Sequence, residues 1–227
     1  MTLAAPKTTM PPWVGIAELR DADPEGLARI ANNLGPHDCR RYATFLSKKR
    51  RREFLLGRWM LRRAVSAWLG GATEVTFDST PSGAPYGIAP NGYPPIAASL
   101  SHAGGWFACA LTFDGALGID IEPIIKRDFE AMDDLAFSEA GYPPLSQLPV
   151  DVRPQEFYKR WTRHEAHFKI KQAKHLPSPV IAHTCMIHDR AMLSLCIADA
   201  GSNPNPPGVM EWTRDTGFRI CETAAYR

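Results

Sequence analysis

The stretch WFACALTFDGALGIDIEP, Trp106 to Pro123, sets the strongest limit on what this chain can fold into. Short apolar runs bounded by turn residues read as buried strands rather than as surface helix. Trp106–Phe113 is one such run and Ala116–Glu122 a second, and Asp114-Gly115 between them is a favoured type I′ hairpin pair. Pro123 closes the second run because it cannot donate to a ladder. The middle of the chain therefore has to build a sheet.

Only two charges interrupt these runs, Asp120 and Glu122. In a strand, alternate side chains share a face, so Ile119 and Ile121 point one way and both acids the other. Carboxylates about 7 Å apart on one face repel unless a cation or donors intervene. Mg²⁺ suits such a pair, because it takes one or two protein carboxylates together with phosphate oxygens and water. An edge strand with a solvated acidic face fits the same alternation.

Elsewhere the sequence predicts a helix from about Lys48 to Leu69, with Phe54, Leu61, Val65 and Trp68 on one face and Arg51, Arg58 and Arg62 flanking them; Gly70-Gly71 stops it. Residues 74–78 (EVTFD) read as a short strand. Residues 79–95 are so rich in Pro and Gly that they read as loop. Ile96–His102 reads as a strand, and 128–140 as a helix. A second long helix is expected from about Pro154 to Lys174, with its proline in the first turn. The tail alternates short apolar runs with turns, as antiparallel strands do. Residues 1–35 carry little periodicity. Helix followed by strands occurs twice. The expected fold is therefore α+β, two pseudo-symmetric halves (1–115 and 116–227), each a small antiparallel sheet packed with a long helix, with a cleft between them.

Composition excludes more than it identifies. The 227 residues are 44% hydrophobic and 22% charged, with a net charge of only +2, which argues against a nucleic-acid-binding role for the SKKRRR run at 47–52. Such a run is either a solvated face or a patch for an acidic partner. Five scattered cysteines lack metal or dithiol spacing and fit a reducing compartment. With no apolar segment near the roughly 20 residues of a membrane span and no secretory h-region, the expectation is a cytoplasmic protein that uses neither membrane nor nucleic acid.

Two further segments carry candidate chemistry. In WTRHEAHFK, Trp161, Glu165 and Lys169 recur every four residues along one helical stripe; Glu165–Lys169 is either an ordinary surface pair or part of an acid-and-cation site. In SLSHAGG, Ser101 and His102 precede two glycines, a combination of hydroxyl, imidazole and open backbone N–H groups that suits a phosphate. A Ser-His nucleophile pair is disfavoured because neighbours on a strand face opposite ways.

The ordered set SLSH, LGIDIE and WTRHEAHFK resembles the Sfp-type 4'-phosphopantetheinyl transferases, with supporting matches at FLLGRWMLRRAVSAWLG (54–70) and AFSEA (136–140). The resemblance implies transfer of the phosphopantetheine arm of coenzyme A to a serine of an apo acyl or peptidyl carrier protein, with release of adenosine 3',5'-bisphosphate. It implies Mg²⁺ held by Asp120, Glu122 and Glu165, catalytic roles for Asp120, Glu165 (base) and Lys169 (on the departing phosphate), and nucleotide phosphates held by Ser101 and His102. Arg51, Arg52 and Arg58 would be further phosphate or carrier contacts. A monomer is expected, since two halves of one chain complete the cleft. Three positions depart from the family pattern. Gly83-Ala84-Pro85 lacks the usual central Lys or Arg, His164 replaces a common Lys, and KQAKHLPSP replaces a glycine-rich loop. A relative that binds coenzyme A or a carrier without transfer is the alternative.

Overall fold

The structure is a computed structural model that describes residues 10–18, 24–71, 75–89, 93–113, 115–137, 141–171, 179–198 and 206–225. The architecture is mixed α+β, built on one seven-stranded and one four-stranded sheet.

The strands are β1 (Trp13–Glu18), β2 (Thr76–Ser79), β3 (Pro85–Ile88), β4 (Ile96–Ala103), β5 (Trp106–Thr112), β6 (Ala116–Pro123), β7 (Val180–Ile187), β8 (Ala191–Ala198), β9 (Val209–Thr213), β10 (Gly217–Ile220) and β11 (Thr223–Ala225). The helices are α1 (Pro24–Ala31), α2 (Pro36–Thr44), α3 (Lys48–Trp68), α4 (Phe129–Phe137) and α5 (Arg153–Lys171), with one 3₁₀ turn at Leu145–Gln147. The larger sheet runs β10-β9-β1-β5-β4-β3-β2 and the smaller β11-β7-β8-β6.

Alternation along β5 explains the layering. Phe107, Cys109 and Leu111 face α3, where Leu56, Met60, Leu61, Ala64, Val65 and Trp68 meet them. Trp106, Ala108 and Ala110 face the other way and join Leu117, Ile119, Ile121, Leu193, Leu195 and Ile197 of the smaller sheet. The smaller sheet's outer face carries α5 through Ala166 and Ile170. The molecule is thus four layers, helix–sheet–sheet–helix, with β5 apolar on both faces because both faces are covered.

The long helices start and stop where the sequence says. Ser47 caps α3 by accepting from the Arg50 N–H. Gly70, at φ 73°, ends it in the left-handed conformation while Gly71 N–H donates to the Ser66 carbonyl. The expected first segment 48–69 therefore matches, and 154–174 corresponds to α5; residues 172–178 lie outside the described residues, as do 138–140 at the end of the expected 128–140 helix and Glu74 of the expected 74–78 strand.

Three expectations are corrected. Asp114-Gly115 does not join a hairpin: β5 pairs with β1 and β4, and β6 pairs with β8 in the other sheet. The chain passes here from the larger sheet to the smaller one. The 79–95 segment is not all loop; β3 pairs with β2 from Thr76↔Ile88 to Ser79↔Pro85, with Pro85 at a strand start where its missing N–H is tolerated. The weakly periodic amino-terminal segment contains β1, buried between β5 and β9. The β1–β9 pairing is parallel, and it brings the chain's last third back into the first sheet. A division at 115/116 separates α3 from α5 but not the outer strands.

Candidate functional site

Strand β6 is the outermost strand of the smaller sheet, yet its acids are not solvated. Asp120 is 4% exposed, so the solvated acidic face is excluded. Ile119 and Ile121 fill the inter-sheet core as expected, and Asp120 turns toward α5. The approach of α5 is close because Gly118 sits beneath it; a Cβ there would meet the Ala166 carbonyl.

One oxygen of Asp120 is heavily engaged. Ser101 Oγ donates to Oδ1 at 2.7 Å and Lys169 Nζ donates to the same oxygen at 2.8 Å. Lys169 also donates to the Ile119 carbonyl at 2.9 Å. The second oxygen, Oδ2, is buried with no hydrogen-bond partner. An orphaned carboxylate oxygen is costly unless something else satisfies it. Glu122 lies two residues on, with the Trp161 indole donating to it. Burial and the charge of Asp120 push the Glu122 pKa above the ordinary carboxylate range, while Arg127 opposes them. Two hard oxygen donors, one orphaned and one short of counter-charge, are what Mg²⁺ takes.

Glu165 stands one helical turn from both Trp161, which holds Glu122, and Lys169, which holds Asp120. The stripe expected from the sequence therefore lies along β6, and Glu165 is the half-buried residue between its two anchors. The three carboxylates do not, however, all close to within 4.8 Å of one another. Among the described residues, the three-donor group with all ligand atoms within 4.8 Å of one another is His188, Glu211 and Cys221.

Ser101 and His102 separate as strand geometry demands. Ser101 is buried against Asp120, and His102 faces the α3 side with its ring stacked 5.3 Å from Phe107. They are not a nucleophile pair. One edge of His102 meets solvent, yet the wall behind it strips enough water to lower its pKa; Glu53 opposes this, and Arg50, Lys169 and Lys49 reinforce it. The imidazole is thus kept neutral.

Two concavities meet at Pro85. One, of about 560 Å³, runs from the 80–86 turn past Ala97 and Ala98 to Gly115–Leu117 and ends at Lys169. The other, of about 170 Å³, is lined by Arg41, Glu53, Phe54, Gly83, Ser101 and His102. The pair forms a groove on the scale of a small-molecule site, with strands of the larger sheet on one wall and β6 with α5 on the other.

The arginines divide. Arg58 is 4% exposed and bonded to both oxygens of Asp38 and to Ser79. It braces α2 against α3, and its side chain also lines the smaller concavity. Arg51 and Arg52 are exposed, Arg51 donating to the Phe45 carbonyl at 2.7 Å. Arg41 was not anticipated. Its Nη1 donates to the Gly83 carbonyl at 3.1 Å, which places a guanidinium beside the very turn whose central basic residue is missing. Desolvation and the nearby Arg58 lower its pKa, with Asp38 opposing. Only a contact across 42 residues reveals it, so no local pattern could.

The sequence that builds this site is similar to that of known proteins. A family model described as the 4'-phosphopantetheinyl transferase superfamily matches residues 116–196, which hold β6, α5 and both acids on the strand. The 4'-phosphopantetheinyl transferase HetI of Nostoc sp. (strain PCC 7120 / SAG 25.82 / UTEX 2576) is 29% identical over 148 residues, 63% of this chain. The segment that carries the site is thus similar to the 4'-phosphopantetheinyl transferase superfamily. The chain aligns with 61% of the length of that relative. Among the described residues, no helix is long and apolar enough to cross a membrane.

Proposed function

We propose that the chain is an Sfp-type 4'-phosphopantetheinyl transferase, carrying the phosphopantetheine arm of coenzyme A to a serine of an apo acyl or peptidyl carrier protein in the cytoplasm. The observation that carries this reading is the Asp120 carboxylate: one oxygen fixed by Ser101 and by Lys169, which lines a groove, the other buried and unsatisfied two residues from Glu122.

In the reaction the serine oxygen forms a new ester to the phosphorus bearing the pantetheine arm. The bond from that phosphorus to the 5'-phosphate breaks, and adenosine 3',5'-bisphosphate leaves. Mg²⁺, when bound, neutralises charge on the diphosphate as that bond loosens. Asp120 and Glu122 would hold the ion, with Glu165 as the third acid. Lys169, between Asp120 and the groove, sits where it stabilises the leaving phosphate. Glu165, directly or through water, accepts the serine proton. Ser101 orients Asp120, His102 and Arg41 hold nucleotide phosphates, and exposed Arg51 and Arg52 face an acidic carrier. The pseudo-symmetric layout makes α3 with the larger sheet one wall and α5 with the smaller sheet the other, so one copy of the chain suffices.

The test is to incubate the protein with coenzyme A, Mg²⁺ and a panel of apo carriers and weigh the carriers. A gain of one phosphopantetheine on serine, abolished by Asp120→Ala or by chelator, is the expected result. The second reading, binding without transfer, is favoured by one observation: the carboxylates of Asp120, Glu122 and Glu165 do not all lie within 4.8 Å of one another. Coenzyme A binding with no mass gain on any carrier would establish it instead.

A further inference from the structure

The cluster of His188, Glu211 and Cys221 is outside the machinery described above. His188 Nε2 lies 2.9 Å from Glu211 Oε2 and 3.9 Å from Cys221 Sγ, and one ligand atom from each falls within 4.8 Å of the others. Zinc bonds of about 2.0–2.3 Å to nitrogen, oxygen and sulfur in a tetrahedral array put ligand atoms roughly 3.3–3.6 Å apart. Small movements of side-chain tips bring these three to that spacing.

The donor set is selective. A thiolate and an imidazole favour zinc-class ions over Mg²⁺, whose preference is for oxygen. Nothing about an imidazole–carboxylate ion pair alone needs a third, polarisable donor turned to it. The three ligands are also positioned by their backbones. His188 and Asp189 both take positive φ, 46° and 53°, in the tight turn between β7 and β8; a non-glycine residue there carries strain that functional sites commonly retain. Cys221 is buried, and its N–H donates to the Val209 carbonyl at 2.8 Å. Glu211 lies in β9, paired to Ile16 and Arg219.

We propose that His188, Glu211 and Cys221 bind one zinc-class divalent cation, with water as the fourth ligand. Cys221 binds as thiolate and gives its proton to solvent. The turn belongs to the smaller sheet and β9 to the larger, and Cys221 lies in the link where the chain leaves β10 for β11. The ion thus staples the two sheets at the point where the carboxyl-terminal segment crosses between them. Its role is structural and separate from the Mg²⁺ acids.

The probe is Co²⁺ added to chelator-stripped, full-length protein, with zinc as competitor. One equivalent should give thiolate-to-cobalt charge-transfer absorption in the near ultraviolet and intense tetrahedral visible bands, both erased by zinc and unaffected by Mg²⁺. Zinc should raise the melting temperature. His188→Ala, at an exposed position, and Glu211→Gln should each weaken Co²⁺ binding at least tenfold while circular dichroism stays unchanged. Cys221→Ser should abolish the charge-transfer band, and Cys39→Ser, at the exposed cysteine, should leave it intact. Absence of the band in the unmodified protein at several equivalents, or a full-strength band in His188→Ala or Cys221→Ser, overturns the site. None of these readouts depends on transferase activity.

Discussion

Gly118→Ala tests whether the contact between α5 and β6 builds the site. A methyl at Gly118 would stand 2.0 Å from the Ala166 carbonyl oxygen and 2.9 Å from the Ile170 nitrogen. Both obstacles are helix backbone and cannot rotate away. Reaching even the shortest tolerated approach requires α5 to retreat by about 1 Å. Overpacking of this kind costs about 1–3 kcal/mol, and a rigid wall places it near the top of that range. For a chain of this size that lowers the melting temperature by about 6–12 °C. The same retreat stretches the Lys169–Asp120 contact of 2.8 Å beyond hydrogen-bonding reach, and a 1 Å misplacement can cost about 100-fold in rate. The assay is a denaturant titration followed by circular dichroism, paired with carrier modification at saturating coenzyme A. Gly71→Ala is the control, since nothing lies within 4 Å of its added methyl; it should be neutral or slightly stabilising. If Gly118→Ala unfolds at the same denaturant concentration as Gly71→Ala, α5 does not press on β6 as described, and the geometry assigned to Asp120 fails with it.

Asp38→Asn should destabilise by about 3–5 kcal/mol, because it leaves Arg58 buried without a counter-charge; a denaturation midpoint within error of the parent would remove Arg58 from its bracing role. Ser101→Ala should raise the Mg²⁺ concentration needed for half-maximal turnover more than it raises the KM for coenzyme A, since Ser101 touches Asp120; an unchanged Mg²⁺ requirement refutes its positioning role. His102 should titrate below the ordinary histidine range in the free protein by NMR. Its folded form binds the proton less well than the unfolded chain, so this group makes stability fall as pH drops through that window. Coenzyme A phosphates beside it should raise its pKa and cause proton uptake on binding; an unmoved His102 resonance would put the phosphates elsewhere.

Much of the site was legible because its parts are local. The alternation Ile119-Asp120-Ile121-Glu122 fixes which side each residue takes, and the four-residue spacing of Trp161, Glu165 and Lys169 fixes a stripe. The capping Ser47 and the stop at Gly70 bound α3 as expected. What the sequence did not reveal depended on partners distant along the chain. Arg58 looks like Arg51 along the helix, and only the tertiary structure ties it to Asp38 and Ser79. Arg41 gains its place from Gly83.

The sequence alone determined the main periods: where the two long helices and the central strands lie, which of their faces are apolar, and that two acids share one side. Tertiary structure decided the neighbours. It sent β6 to β8 instead of β5, returned β9 to lie parallel beside β1, and set Lys169 and Ser101 on one oxygen of Asp120 while leaving the other bare. The reason is that dihedral preferences and burial patterns act over a few residues. Pairing between sheets is chosen by how whole apolar faces cover one another, and that choice is made only when all of them are assembled.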